Sequence, residues 1–353
     1  MATTYWVDAD SPSQAAPYDT QAKAAHTLAT ILAIPPAATD IIYCCAGASV
    51  GETIGAALAC ASGGTNATGH IRIIGCNSSG TVDGTRYKID GGAAGINIFD
   101  FAGYDFWWLE NIQVQNTGAG TKHGFCTTTG TASGCVFINC CATGCAKAGF
   151  AHNIAYSLFY RCVAYSNSAS GFGYGDGAQV NNSYVLCSSH DNTLHGFYYC
   201  TYASIYGCIS HGNTDDGISA LSLGSRIFNS VIDNNTDDGI VYTAATDLMF
   251  HVLFGSRITN HSTAGSIAVN CAGEPVITGH CYYENNDGAN VGGTTTFHFV
   301  LPLEDAVTTS DLEDLSNTNQ GYAAAIASHN FATGYTDAGD PDLRRVAITI
   351  PWT

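Results

Sequence analysis

Charge is what this sequence most lacks. Only 11% of its 353 residues are Asp, Glu, Lys or Arg, about half the usual share. Glu (6 residues) and Lys (4 residues) are the scarcest, and surface helices draw on both, so a mainly helical protein is excluded. No run approaches the ~18 consecutive apolar residues of a spanning helix, so no membrane insertion is expected. Eleven basic residues face 29 acidic ones, for a net charge of −18, and the basic residues form no cluster. Nucleic acid and anionic lipid are therefore excluded as partners. The opening Met1–Asp10 has neither a cationic stretch nor an apolar run, so no secretory signal is expected. Low charge does not mean disorder here: 46% of the residues are apolar and 11% aromatic, enough to fill a core.

What the chain does have is Gly (40) and Cys (15), and both recur with a period. Gly followed by an aromatic or aliphatic residue returns at Gly95-Ile96, Gly124-Phe125, Gly149-Phe150, Gly171-Phe172, Gly196-Phe197, Gly217-Ile218 and Gly239-Ile240. A second motif runs in step with it: a short apolar stretch, then Cys or Ser, then Asn five residues later. It reads Cys162…Asn167, Cys187…Asn192, Cys208…Asn213, Ser230…Asn235 and Cys281…Asn286. Asn116 fits the Asn half, while Cys140…Cys145 and Ser256…His261 are degenerate copies. Each copy is too short for a helix pair and holds short strand-like stretches punctuated by Gly, Asn, Asp and Ser.

One solenoid coil per copy is the economical solution, each strand bonding its equivalent in the next coil. Equivalent residues then form columns with a step of ~4.8 Å. Cys140, Cys162, Cys187, Cys208, Ser230, Ser256 and Cys281 should form one inward column. Strand alternation puts Ile138, Tyr160, Val185, Tyr206, Phe228 and Phe254, two positions earlier, on the same inward face. Asn116, Asn167, Asn192, Asn213, Asn235 and Asn286 should sit at a tight turn with left-handed backbone, each amide bonding the next. Stacked thiols ~4.8 Å apart are wider than a disulfide's Cβ spacing, so reduced cysteines are expected. Cys141-x-x-x-Cys145 lacks a second ligand pair and reads as structural rather than zinc-binding.

An open solenoid end needs a cap. Residues 1–39 read as an N-terminal strand and capping helix, with Ala24, Leu28, Ile31 and Leu32 on one face, Asp19-Thr20 as its cap and Pro35-Pro36 as its stop. Residues 40–295 read as the helix of coils, starting at Asp40–Cys44 and His70–Gly75. Residues 296–353 lose the repeat and read as a C-terminal cap or attachment segment. They hold an acidic loop, an Ala-rich helix near 322–328 and a last strand over 344–351.

With Tyr5-Trp-Val-Asp-Ala-Asp10, Asp40-Ile-Ile-Tyr, Gly51-Glu-Thr-Ile54, the Asn-x-x-Asp-Gly-Ile turns at 213–218 and 235–240, and Thr336-Asp-Ala-Gly339, the chain resembles the right-handed parallel β-helix proteins of the pectate-lyase-like superfamily. The resemblance implies an all-β, single-stranded solenoid of about 21–29 residues per coil. Its members include polysaccharide lyases, glycosidases, epimerases, phage tailspikes and virion or surface proteins without activity. A lyase of this kind would need Lys or Arg beside calcium-holding carboxylates. Here the basic residues of the repeat body are few (Lys122, Lys147, Arg161, Arg226 and Arg257) and do not all converge on one column. The Gly-His-Gly and Arg-x-Lys signatures of β-helix glycosidases are absent.

Two constellations remain. Asp215-Asp216 should stack on Asp237-Asp238 in adjacent coils, where calcium would neutralise them, unless each is a solvated Asp-Gly turn. His190, His211 and Asp233 follow the Cys/Ser column by three residues and should point outward. They read as a metal or acid/base set, or as ordinary surface. Asp216, Asp238, His190, His211 and Asp233 are thus the catalytic candidates, while His123 and His195 read as turn residues. Trp107-Trp108, Tyr198-Tyr199 and Tyr282-Tyr283 should each place one ring inside and one outside, for a sugar or a partner chain.

The leading expectation is a non-enzymatic structural or binding protein, a bacteriophage virion component (capsid decoration, fibre or tailspike-like) made in the host cytoplasm. Its partners would be other virion proteins or itself, as a homo-oligomer such as a trimer, and a cell-surface glycan. No cofactor is required, and calcium is the ion the carboxylates would take. The alternatives are a polysaccharide lyase or glycoside hydrolase acting on an extended glycan, and a bacterial surface β-helix protein.

Overall fold

The computed structural model describes residues 2–301, apart from 47–50, 152, 174–180, 222–223, 244–250, 262–265, 272–275, 280, 285, 287–290 and 293–297. Residues 302–353 lie outside it, and with them most of the expected C-terminal segment.

Among the described residues every strand-to-strand ladder is parallel and joins one coil to the next. The first sheet has 12 strands, from Thr4–Val7 through Ile41–Cys45 to His298–Leu301. The second has 10, from Glu52–Thr53 to Tyr282–Glu284. The third is broken into shorter pieces, which single bridges along Phe125, Phe150, Phe172 and Phe197 connect. Each coil visits the three sheets in turn. Leu158–Tyr160, Val163–Tyr165 and Phe172 are one such circuit.

The core is a set of columns. Phe125, Phe150, Phe172 and Phe197 stack face to face with ring centroids 4.8 Å apart. A second stack holds Phe137, Phe159 and Tyr184, at 4.7 and 4.9 Å. The two columns meet edge to face, as at Phe150–Phe159 (5.6 Å), which suits the ring quadrupole. The Cys/Ser column points inward as expected and is buried down to Ser256, with Cys281 half-buried. All 15 cysteines are free thiols. Column thiols donate to carbonyls of the preceding coil, Cys162 to Phe137 at 3.4 Å and Cys187 to Phe159 at 3.3 Å. Burial pushes these thiols well up, so they are neutral packing groups.

The neighbouring column departs from expectation. Phe137, Phe159, Tyr184, Ile205, Ile227 and Leu253 point inward, whereas Ile138, Tyr160, Val185, Tyr206, Phe228 and Phe254 point outward. The cause is a one-residue corner. Asn139, Arg161, Leu186, Gly207, Asn229 and Gly255 have φ between 49° and 62°, and that left-handed residue breaks the alternation.

The second corner works the same way. Its left-handed residues are Asn116, Gly144, Ser166, Asp191, Gly212, Asn234 and Asn260. Asn116 is therefore exposed at the corner and not in the amide column, where Thr117 takes its place. Asn167, Asn192, Asn213 and Asn235 are buried and lack left-handed backbone. Each donates from Nδ2 to the Oδ1 of the next, at 2.9, 2.9 and 2.8 Å over the three steps. Gly95-Ile96 also misses its column, because Phe99 is the residue that pairs with Phe125.

The N-terminal cap is built differently from the expected helix. Gln21–Lys23 form a 3-10 turn, Ala25 is extended and bridges Val7, and the α-helix is only Leu28–Leu32. Its cap is Thr27, whose hydroxyl accepts from the Thr30 N–H at 3.3 Å, not Asp19-Thr20. Glu52 accepts from the Leu28 N–H at 3.0 Å and so ties the helix to the second sheet. The first rung is Thr4–Val7, paired with Ile41–Cys45, so the sheet starts before residue 40.

Candidate functional site

The residue before each repeat Gly forms a column at the bend into the third sheet. His195, Asp216 and Asp238 occupy successive coils there, joined by Gly196 N–H to Asp216 O (3.1 Å) and Gly217 N–H to Asp238 O (3.0 Å). Gly is required at these positions. A Cβ on Gly196 would lie 2.0 Å from Ser210 Oγ, and one on Gly217 would lie 2.4 Å from Ile232 Cγ2. Asp215 and Asp237, one residue earlier, lie on the solvent side of the same bend.

The carboxylates do stack. Oxygens of Asp216, Asp237 and Asp238 lie within 4.8 Å of one another, as do ligand atoms of His195, Asp215 and Asp216. His195 Nδ1 is 3.2 Å from Asp216 Oδ2, and Nε2 is 3.6 Å from Asp215 Oδ2. The His195 ring stacks on Tyr198 at 4.5 Å. Asp238 accepts from Ile267 N–H at 2.5 Å and from the Asn270 amide at 2.8 Å. Burial raises the Asp216 carboxyl above its ordinary range, with His195 opposing and Asp215 and Asp238 adding to the rise. Burial and the charges of Asp238 and Asp215 raise Asp237 likewise. The donor set is rich in hard oxygens and short of positive charge, which fits a divalent cation such as calcium.

The other constellation is in register but does not converge. His190, His211 and Asp233 are strand partners, and the Tyr165, His190 and His211 rings stack at 5.1 and 4.9 Å. Asp233, however, accepts from the Thr259 hydroxyl at 2.6 Å and the Asn260 amide at 2.7 Å. Burial alone would raise its carboxyl, but these bonds and Arg257 outweigh it and hold the group low. His190 Nδ1 lies 2.8 Å from Asp191. This is a stacked surface row, not a shared ligand set.

Sequence reasoning missed His195. It was legible in one way: His195-Gly196, Asp216-Gly217 and Asp238-Gly239 are the same position of the repeat. Among the aromatic pairs, Trp107 is buried and Trp108 half-exposed, as expected, but Tyr198 and Tyr199 are both half-buried. The reason is again a corner, since Tyr199 has φ 58°. A depression of about 630 Å³ near Asp90, Gly118 and Ser168 does not include the acidic column. Its carboxylate, Asp90, already accepts from Gln115 and Asn116.

No protein-family profile matches the chain, and no curated protein sequence matches it. Solved structures do. Pectate lyase Pel9A superposes with a TM-score of 0.59 at 15% identity, over 91% of this chain and 87% of that one. The fold is that of the pectate-lyase-like parallel β-helix. A second β-helix, Geobacillus virus E2 ORF18, gives a TM-score of 0.53 at 13% identity, over 84% of this chain and 60% of that one. A rhamnogalacturonan lyase gives 0.50 at 14% identity, over 87% and 84% of the two chains. The β-helix fold is thus shared with a phage protein and with polysaccharide lyases.

Proposed function

We propose that this β-helix is a structural and binding component of a virion, and that the acidic column is its contact site. The column would hold a calcium-like ion through Asp216, Asp237 and Asp238, and present it to a hydroxyl-rich or acidic glycan. The carrying observation is the company these carboxylates keep. The charges that bear most on Asp216 are His195, Asp215 and Asp238, with no Lys or Arg among them to act as a lyase base. A bound ion would supply positive charge, lower the carboxyl pKa values and bridge to sugar oxygens. His195, held against Tyr198, fixes one wall of the site, and Asn270 orients Asp238. The likeness to the Geobacillus virus E2 protein supports the virion setting, with a bacterial surface as the alternative.

Calorimetric titration of calcium into the full chain, followed by glycan binding with and without the ion, tests this. Saturable calcium binding lost in Asp216→Asn plus Asp238→Asn is the expected result. One observation favours catalysis instead: an imidazole stacked on a tyrosine beside a carboxyl of raised pKa is an acid/base arrangement. Release of unsaturated or reducing ends from an acidic glycan, abolished by Asp216→Ala plus Asp238→Ala, would replace the binding reading with a lyase or hydrolase.

A further inference from the structure

The residues two before each repeat Gly form a column of their own along the bend into the third sheet. Over six successive coils it reads Lys122, Lys147, Ala169, Leu194, Asp215 and Asp237. The Lys147 N–H donates to Lys122 O at 2.8 Å and the Leu194 N–H to Ala169 O at 3.2 Å. The residues that follow keep the coils in step, through Gly149 N–H to Ser170 O (3.2 Å) and Gly171 N–H to His195 O (3.1 Å). One position every ~4.8 Å makes this face about 25 Å long. Cations hold one end, carboxylates the other, and two uncharged residues lie between. Leu194 is 38% exposed and Asp237 is exposed, while Lys122, Lys147 and Asp215 are half-buried. Among the described residues no carboxylate of its own chain pairs with Lys122.

Reversed end for end, this order is its own complement. A two-fold axis between the coils of Ala169 and Leu194 sets a second copy antiparallel to the first. Lys122 then faces Asp237, Lys147 faces Asp215, and Leu194 lies over the small Ala169, each contact occurring twice. The flanks agree. On the second-sheet side the same operation puts Gln115 opposite Asp233, Thr143 opposite His211 and Tyr165 opposite His190. On the third-sheet side Tyr198, Ser219 and Val241 are uncharged, so no like charges meet across the face. The net charge of −18 repels over long range, but at physiological salt it is screened beyond ~8 Å, whereas the paired groups would be in contact. Surface ion pairs on so narrow a face bury less than the ~800 Å² per partner of a standard interface, so the contact should dissociate on dilution.

We infer that two copies of this β-helix associate side by side and antiparallel through this face, Lys122 and Lys147 of each meeting Asp237 and Asp215 of the other. Asp215 and Asp237 also border the acidic column, so a bound cation and the second copy compete for them, but the inference does not rest on the ion.

Sedimentation equilibrium of the full chain, at physiological salt and with a chelator present, tests it. The unmodified protein should pass from monomer to dimer as its concentration rises. Lys122→Glu plus Lys147→Glu should weaken dimerisation at least tenfold with an unchanged thermal transition, and so should Asp215→Lys plus Asp237→Lys. An equimolar mixture of the two variants should dimerise again, because each supplies the charges the other lacks. Should the aspartate variant fail to fold, Leu194→Glu decides beside the lysine variant, with weaker dimerisation expected of both. A monomer at every concentration, a dimer indifferent to these charges, or a mixture that stays monomeric overturns the inference. Calcium titration into Lys122→Glu plus Lys147→Glu reads the proposed function separately, since neither lysine is a ligand of the ion.

Discussion

The coils from Phe125 to Phe197 and those from Cys208 to Cys271 share one backbone plan and fill it differently. The earlier coils put rings in two core columns and thiols in a third, all stacked at about the strand spacing. In the later coils the same columns read Ile218, Ile240 and Val269, then Ile205, Ile227 and Leu253, and thiol gives way to hydroxyl at Ser230 and Ser256. The acidic column belongs to the later coils. A stacked ring buries ~150–250 Å² and fixes its neighbours above and below, so the earlier coils are built for stiffness. In these columns the later coils take smaller side chains, although Tyr242 is fully buried against His251, and they concentrate charged groups at the bend.

Core truncation should separate the halves most sharply. Phe159 is fully buried, sandwiched between Phe137 and Tyr184 and edge-on to Phe150 and Phe172. Phe159→Ala should cost about 4 kcal/mol, while Ile227→Val, in the same column two coils beyond Tyr184, should cost about 1 kcal/mol. Denaturant unfolding of both variants measures this. Equal losses would remove the distinction between the halves.

The cap and the acidic column can be compared by pH. Burial raises Glu52 to about 7, against a hydrogen bond from Leu28 that lowers it. The sign follows from linkage. Below the unfolded value, near 4.5, the carboxyl is neutral in both states and carries no penalty. As pH rises through 7, folding must hold a charge that the unfolded chain solvates freely, so about 3 kcal/mol of stability is lost over that window. Asp216 and Asp237, also raised, add loss of the same sign. Glu52→Gln should remove most of the slope seen in melting curves, and saturating calcium should remove only the part owed to the column. A slope unchanged by Glu52→Gln would place the titration elsewhere.

The repeat itself was legible because stacking forces equivalent residues to be alike, and the period of Gly and Cys betrays it. Facing was not legible from alternation. Arg161 and Leu186 take left-handed backbone at the first corner, a conformation that their identity argues against and that the cross-coil ladder imposes. One such residue reversed the assignment of Tyr160, Tyr206 and their partners. At the second corner the same effect moved Asn116 out of the amide column and brought Thr117 in. His195 was hidden for another reason: its partners, Asp215 and Asp216, are 20 and 21 residues away, and only a fixed register brings them together.

The finest difference between the halves is sulfur against oxygen. Cys208 is the last thiol before the column turns to Ser230, whose hydroxyl donates to Phe228 O at 2.9 Å and accepts from the Cys208 N–H at 3.1 Å. Cys208 Sγ lies 3.4 Å from Tyr184 O and 3.6 Å from Tyr206 O, so a hydroxyl at that place would also find an acceptor. Cys208→Ser should therefore cost only about 1 kcal/mol, the loss of a polarizable packing group offset by a stronger hydrogen bond. Cys162 Sγ meets the same kinds of acceptor, Phe137 O at 3.4 Å and Tyr160 O at 3.7 Å, so Cys162→Ser should exceed that cost only by what the Phe137–Phe159 ring stack adds in its coils. Unfolding of the two variants in parallel decides the point. If Cys208 proves the more costly, the sulfur column is not graded along the rod, and the contrast between the halves rests on the rings alone.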